Sequence, residues 1–94
     1  MNNYRVFETD EFQKKIGKIT AKDKSFIEKK LRDYVYPKLK EEPYYGSNIK
    51  KLIGYIPETR RYRIGKYRLF YTIDESEKII YILSIDLRKD AYSQ

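Results

Sequence analysis

Apolar residues fall into two regimes along the chain, a helical spacing as far as about residue 40 and alternation after residue 49. Residues 4–8, Tyr-Arg-Val-Phe-Glu, have strand character. Thr9 or Asp10 is then a good N-cap, since a side-chain oxygen there accepts from a free amide of the first turn. Phe12, Ile16 and Ile19 follow on one helical face. Thr20-Ala21-Lys22-Asp23 opens a second helix in the manner of a capping box, with Asp in place of Glu. Its apolar stripe is Phe26, Ile27, Leu31, Tyr34 and Val35. Pro37 is expected to kink or end that helix, with a ragged last turn reaching Lys40, because proline lacks an amide donor and clashes with the preceding turn. Two helices joined by almost nothing make a helical hairpin.

Residues 41–48 read as a loop. Four strand candidates follow, at 49–53, 60–64, 67–74 and 78–86. Gly65-Lys66 is a two-residue hairpin turn of the kind with glycine first, and residues 74–77 form the next turn. The order predicts one α+β domain over residues 1–94: an N-terminal strand, a two-helix hairpin, then a four-stranded antiparallel meander with the helices packed on the sheet. Repeats, linkers and low-complexity stretches are not evident.

Composition narrows the chemistry. Twenty-one Lys and Arg against 14 Asp and Glu leave a formal charge of +7, which favours a polyanionic partner. Eleven tyrosines add surfaces suited to stacking on bases, although tyrosines also fill sheet cores. Without cysteine there is no disulfide or thiol chemistry, and a reducing cytoplasm is the expected location. Without histidine a Ser-His-Asp triad is impossible, and the carboxylates do not group at ligand spacing, so neither a metal nor another cofactor is expected. The start, Met-Asn-Asn-Tyr-Arg, lacks the apolar core of a signal peptide, and apolar runs stay far below the roughly 18 residues of a membrane span.

Residues 60–68, Arg-Arg-Tyr-Arg-Ile-Gly-Lys-Tyr-Arg, hold five cations, two tyrosines and no acid. Strand alternation puts Arg61 and Arg63 on one face, and Arg68 and Lys66 can join them across the hairpin. Such a face is solvated, paired with acids or built to hold an anion, and the nearby acids are few, Glu58 and Asp74. A second cluster, Arg88-Lys89-Asp90-Ala91-Tyr92, follows the last strand and is either an ordinary polar tail or an extension of the same face. Fixed cations suit phosphoryl chemistry, and internal attack by a ribose 2′-hydroxyl needs a base, a phosphate clamp and a leaving-group acid. Tyrosine or lysine can serve as acid or base where neighbouring cations lower its pKa. The sequence allows metal-free RNA cleavage without demanding it.

The runs Lys51-Leu52-Ile53-Gly54, then Arg61-Tyr62-Arg63-Ile64-Gly65-Lys66-Tyr67-Arg68-Leu69-Phe70-Tyr71, then Arg88-Lys89-Asp90-Ala91-Tyr92, resemble the RelE/ParE toxin superfamily. The resemblance covers nearly the whole chain and implies a RelE-like microbial RNase-type fold. It also implies a type II toxin that cleaves mRNA in the ribosomal A site by metal-free 2′-hydroxyl attack, and that is neutralised by an antitoxin carrying an acidic helical segment. By position, Arg61 and Arg63 match residues that bind phosphate and assist proton transfer, and Arg68 the arginine that stabilises the transition state. Arg88 matches the C-terminal arginine, and Tyr92 the tyrosine that orients or stacks on the nucleotide. Lys51, Arg60, Lys66 and Lys89 are the further candidate RNA contacts. Leu87 stands where many relatives carry His, so the base would have to be a tyrosine or nothing, and Lys66 replaces an acid common after the hairpin glycine. The competing reading is a ParE-type, non-catalytic inhibitor of DNA gyrase, because one fold supports both functions.

Overall fold

Thr9 joins the first strand to the first helix, and its hydroxyl serves both. The oxygen accepts from the Phe12 amide at 3.3 Å as N-cap of α1 (Asp10–Gly17) and donates to the Ile82 carbonyl at 2.7 Å. The computed structural model describes residues 3–87. Strand β1 (Arg5–Glu8) and α1 precede a long helical arm that begins at α2 (Ala21–Lys30), where Thr20 caps the Asp23 amide. Asp23 does not complete a capping box. Its carboxylate turns instead to the Tyr67 hydroxyl at 2.7 Å and ties α2 to the sheet.

Pro37 neither ends nor sharply breaks this arm. The chain widens into a π-helical turn (Leu31–Val35), in which the Tyr36 amide reaches back to the Leu31 carbonyl, and continues as α3 (Tyr36–Glu41). The wider turn makes room where the proline ring would meet the Asp33 carbonyl, which proline cannot satisfy. It also keeps the seam in register. The buried residues Ile27, Leu31, Val35 and Leu39 recur every four positions, a spacing that drifts by about 40° per step on an α-helix, and the extra width takes up that drift. Phe26 and Tyr34, expected in the stripe, fall outside the seam and are 48% and 62% exposed.

The later strands are β2 (Ile49–Lys51), β3 (Arg60–Ile64), β4 (Tyr67–Asp74) and β5 (Ile79–Leu87). They form the expected antiparallel meander, and the sheet order is β1-β5-β4-β3-β2. Gly65 takes a φ of 58°, as a turn with glycine first requires. Strand β2 stops at Lys51 rather than at Ile53, since Gly54, at a φ of 85°, turns the chain into an exposed loop. β1 lies parallel to β5, pairing residues 5–8 with 79–82 and leaving the second half of β5 without a strand on that side.

Between Phe70 and Tyr71 the β4–β5 ladder shifts register, with Phe70 opposite Ser84 and Tyr71 opposite Ile82. Leu83 is the extra residue, a β-bulge that changes which parity faces inward. Ile80 and Ile82 are buried before it, Ile85 after it. The helices cover one face of the sheet, where Phe12, Ile16, Ile27, Leu31, Val35 and Leu39 pack on Ile64, Leu69, Tyr71, Ile80, Ile82 and Ile85. No described helix is long and apolar enough to cross a membrane.

Candidate functional site

The face without helices carries the arginines. Alternation along β3 sends Tyr62 and Ile64 toward the core and Arg61 and Arg63 away from it. Residues directly opposite in adjacent strands share a face, so pairing defines two rows. Arg63 lies opposite Arg68, which lies opposite Asp86. Lys50 lies opposite Arg61, which lies opposite Phe70, and Phe70 opposite Ser84.

Two of these arginines are locked in place and incompletely satisfied. Arg68 is 4% exposed, and its Nη1 donates to the carbonyls of Gly65 at 3.2 Å and Tyr67 at 3.0 Å. Arg61 Nη1 donates to the Asn48 carbonyl at 2.8 Å. The Nε of each is buried without a hydrogen-bond partner among the described residues. A buried donor on a charged group that lacks an acceptor is costly, and here two sit on one face beside the exposed Arg63.

The other candidates are dispersed. Arg60 points to the helix side, 8% exposed, with its Nη1 on the Glu58 carboxylate, its Nε donating to the Tyr44 carbonyl at 3.3 Å and its guanidinium 4.8 Å above the Tyr44 ring. That is a structural clamp, its charge already met by a carboxylate. Lys51 pairs opposite Arg60, not Arg61, and its ammonium lies 3.6 Å from Glu58. Lys66 does not join the arginines across the hairpin but leans to Asp23 at 3.4 Å. Arg88, Lys89 and Tyr92 lie outside the described residues.

Two residues on this face escape a reading based on charge runs. Lys50 takes the place expected of Lys51, because which of two adjacent lysines faces the arginines depends on the β2–β3 register. Asp86 takes its place through the bulge in β5, and α1 passes close enough to its bare edge for Lys15 to reach it. The Lys15 ammonium donates to the Asp86 carboxylate at 2.9 Å, and the Ser84 hydroxyl donates to its other oxygen at 3.1 Å. The carboxylate in turn pushes the Lys15 pKa up. Beside it lies a trough of ≈ 320 Å³ lined by Lys15, Tyr55, Thr59, Phe70, Leu83, Ser84 and Asp86. The acids expected near the arginines are engaged elsewhere, Glu58 with Arg60 and Lys51, Asp74 with the Glu77 amide and the Ser76 hydroxyl of its own turn.

Several tyrosines are unsuited to act as bases. Burial and the bond to Asp23 push Tyr67 up to about 12, burial pushes Tyr71 up, and the bond to Glu75 pushes Tyr44 up. The described residues contain no group of three or more His, Cys, Asp or Glu side chains placed to hold a metal ion.

The family model described as the ParE toxin of a type II toxin–antitoxin system, parDE, matches residues 6–92. The chain belongs to this RelE/ParE toxin family. It is a toxin of a type II toxin–antitoxin system. No curated protein matches the sequence. The structure resembles the toxin–antitoxin complex RelBE2 from Mycobacterium tuberculosis, with a TM-score of 0.71, 26% identity and coverage of 92% of this toxin and 99% of that chain. The archaeal RelE–RelB complex from Pyrococcus horikoshii gives a TM-score of 0.68, 24% identity and coverage of 92% and 96%. The intact RelBE toxin–antitoxin complex of E. coli gives 0.65, 21% identity and coverage of 89% and 95%. The last two likenesses bear on the fold alone.

Proposed function

We propose that this toxin is a ribosome-dependent mRNA endonuclease that inhibits translation by metal-free attack of a ribose 2′-hydroxyl on the adjacent phosphodiester. The observation that carries this reading is the arginine face, on which Arg61 and Arg68 each hold a buried Nε without an acceptor among the described residues, next to the exposed Arg63. A scissile phosphate seated on Arg63 lies in the field of all three guanidinium groups. Rigid guanidinium groups also stabilise the charge that grows on phosphate oxygens in the transition state, at no cost of reorganisation. Lys50 extends the face along the strand edge, and Phe70 offers an aromatic surface beside Arg61 for a base. A cytoplasmic location accords with this activity.

The partner that silences the toxin is, on this reading, a cognate antitoxin whose acidic helical segment meets the basic surface, as suits a body with a charge of +7. The structures of similar fold include RelE–RelB and RelBE complexes. Gyrase inhibition without catalysis is the rival, favoured by the ParE description of the matched family and by Leu87 in place of histidine.

Purified toxin added in parallel to a cell-free translation reaction and to a gyrase supercoiling reaction separates the two. Arrested translation with supercoiling intact is the expected result. Blocked supercoiling with translation intact replaces the nuclease with the gyrase inhibitor.

A further inference from the structure

A cleavage of this type needs a group to take the 2′-hydroxyl proton, and none of the arginines can, since a guanidinium stays protonated. Building on the nuclease reading above, we propose that Asp86 is that general base. In the strand pairing, Asp86 is the carboxylate set against the arginine cluster. The residues opposite Arg61 are Lys50 and Phe70, Arg63 faces Arg68, and Arg68 faces Arg63 and Asp86. Adjacent strands lie about 4.8 Å apart, so the row Arg63–Arg68–Asp86 spans roughly 10 Å, enough for a phosphate on the arginines and its ribose beside the carboxylate.

The tyrosines are poorer candidates on geometry as well as chemistry. Tyr67 and Tyr71 lie on the core face, with their hydroxyls donated to Asp23 and to the Pro43 carbonyl. Tyr55 does line the trough with Asp86, but it sits in the loop between β2 and β3, off the paired strand row that carries Arg63, Arg68 and Asp86. Asp86 is also held. Lys15 from α1 fixes one oxygen and Ser84 the other, leaving lone pairs on each, and the side chain retains 24% exposure.

The charged and titratable groups around it are Lys15 with Glu11 behind it at 3.9 Å, Lys14 and Lys18 on the same helix edge, Arg68 on β4 and Tyr55 in the β2–β3 loop. In the step, the Asp86 carboxylate takes the 2′-hydroxyl proton as the 2′-oxygen bonds to phosphorus. The bond from phosphorus to the 5′-oxygen breaks, and that oxygen takes a proton from solvent. The products are a 2′,3′-cyclic phosphate and a 5′-hydroxyl, and Asp86 returns its proton to water.

A structural ion pair between α1 and β5 would place the same atoms, and the two roles part on a pair of variants. Cleavage of mRNA on pre-assembled ribosome complexes is measured against pH for the parent, Asp86→Asn and Lys15→Met, with thermal melts of each. As base, Asp86→Asn loses about 100-fold or more, the range of general base catalysis. Lys15→Met keeps cutting within about tenfold, because the ammonium holds the carboxylate without itself taking the proton. Should Asp86→Asn fold poorly, Lys15→Met decides alone, since it breaks the same ion pair and a loss beyond about tenfold in that variant marks a structural role. Parent-like cutting by Asp86→Asn, or equal losses in both variants, overturns the assignment while leaving the nuclease reading in place. A parent protein that does not cut at any pH removes both.

Discussion

Replacing Arg68 with methionine should abolish function without harming the fold. Arg68 is 4% exposed, and the long apolar side chain of methionine can occupy much of the same space. The substitution removes two hydrogen bonds from a charged donor to the Gly65 and Tyr67 carbonyls, together about 3–6 kcal/mol on the scale of such bonds. Against that, it relieves the desolvation of a guanidinium, an effective penalty of several kcal/mol, and removes the buried unpaired Nε, about 1–3 kcal/mol. The two sides nearly cancel, so the expected change is within about 1 kcal/mol, or roughly 4–8 °C in Tm for a domain of this size. Urea unfolding followed by circular dichroism measures it, alongside cleavage, which should fall by about 100-fold or more. Destabilisation of about 3 kcal/mol or more would refute the reasoning. It would make Arg68 a strut of the β3–β4 hairpin instead of a binding group kept at some expense of stability.

Three further outcomes are expected. Lys50→Ala should flatten the dependence of log affinity for single-stranded RNA on log salt by about 0.7, the release expected for one phosphate contact, whereas Lys51→Ala leaves the slope unchanged; equal effects would contradict the β2 register. Leu39→Ala, at a fully buried position below the π turn, should cost about 2–5 kcal/mol in denaturant unfolding, and a loss under about 1 kcal/mol would show that α3 is not anchored as described. Glu75 accepts from Lys78, Tyr44 and Tyr4, which hold its pKa down to about 2 against an ordinary 4.5. A carboxylate lowered on folding contributes stability that is complete above about pH 4.5 and is lost as pH falls toward about 2. The melting temperature of Glu75→Gln should therefore drop less over that window than the parent's, and parallel curves would refute the clamp.

Local pattern made the element order legible, and pairing made the site. The switch from helical to alternating spacing marked the helices and the meander, and Gly65 marked the hairpin because its turn needs a positive φ. Arg61 and Arg63 could be assigned a common face from alternation alone, and Arg68 followed once the hairpin was recognised. The parallel pairing of β1 with β5 left no local mark, since it joins segments more than 70 residues apart. The same holds for Asp86. Its position depends on an extra residue at Leu83 and on a helix edge brought alongside β5, neither of which a run of apolar residues from 79 to 83 reveals. Adjacent basic residues were the other ambiguity. Arg60 beside Arg61, and Lys51 beside Lys50, look alike in a charge run, yet one strand position separates a closed clamp from the open face.

The most direct test of the central claim is to map cuts on a translated mRNA with the parent protein, Arg63→Ala and Arg60→Lys, each checked for folding. If the open face does the chemistry, the parent produces cuts at ribosomal positions ending in a 2′,3′-cyclic phosphate. Arg63→Ala then loses them while remaining folded, and Arg60→Lys keeps them. Ribosome-positioned cuts undiminished in Arg63→Ala, or none with the parent, would contradict the account.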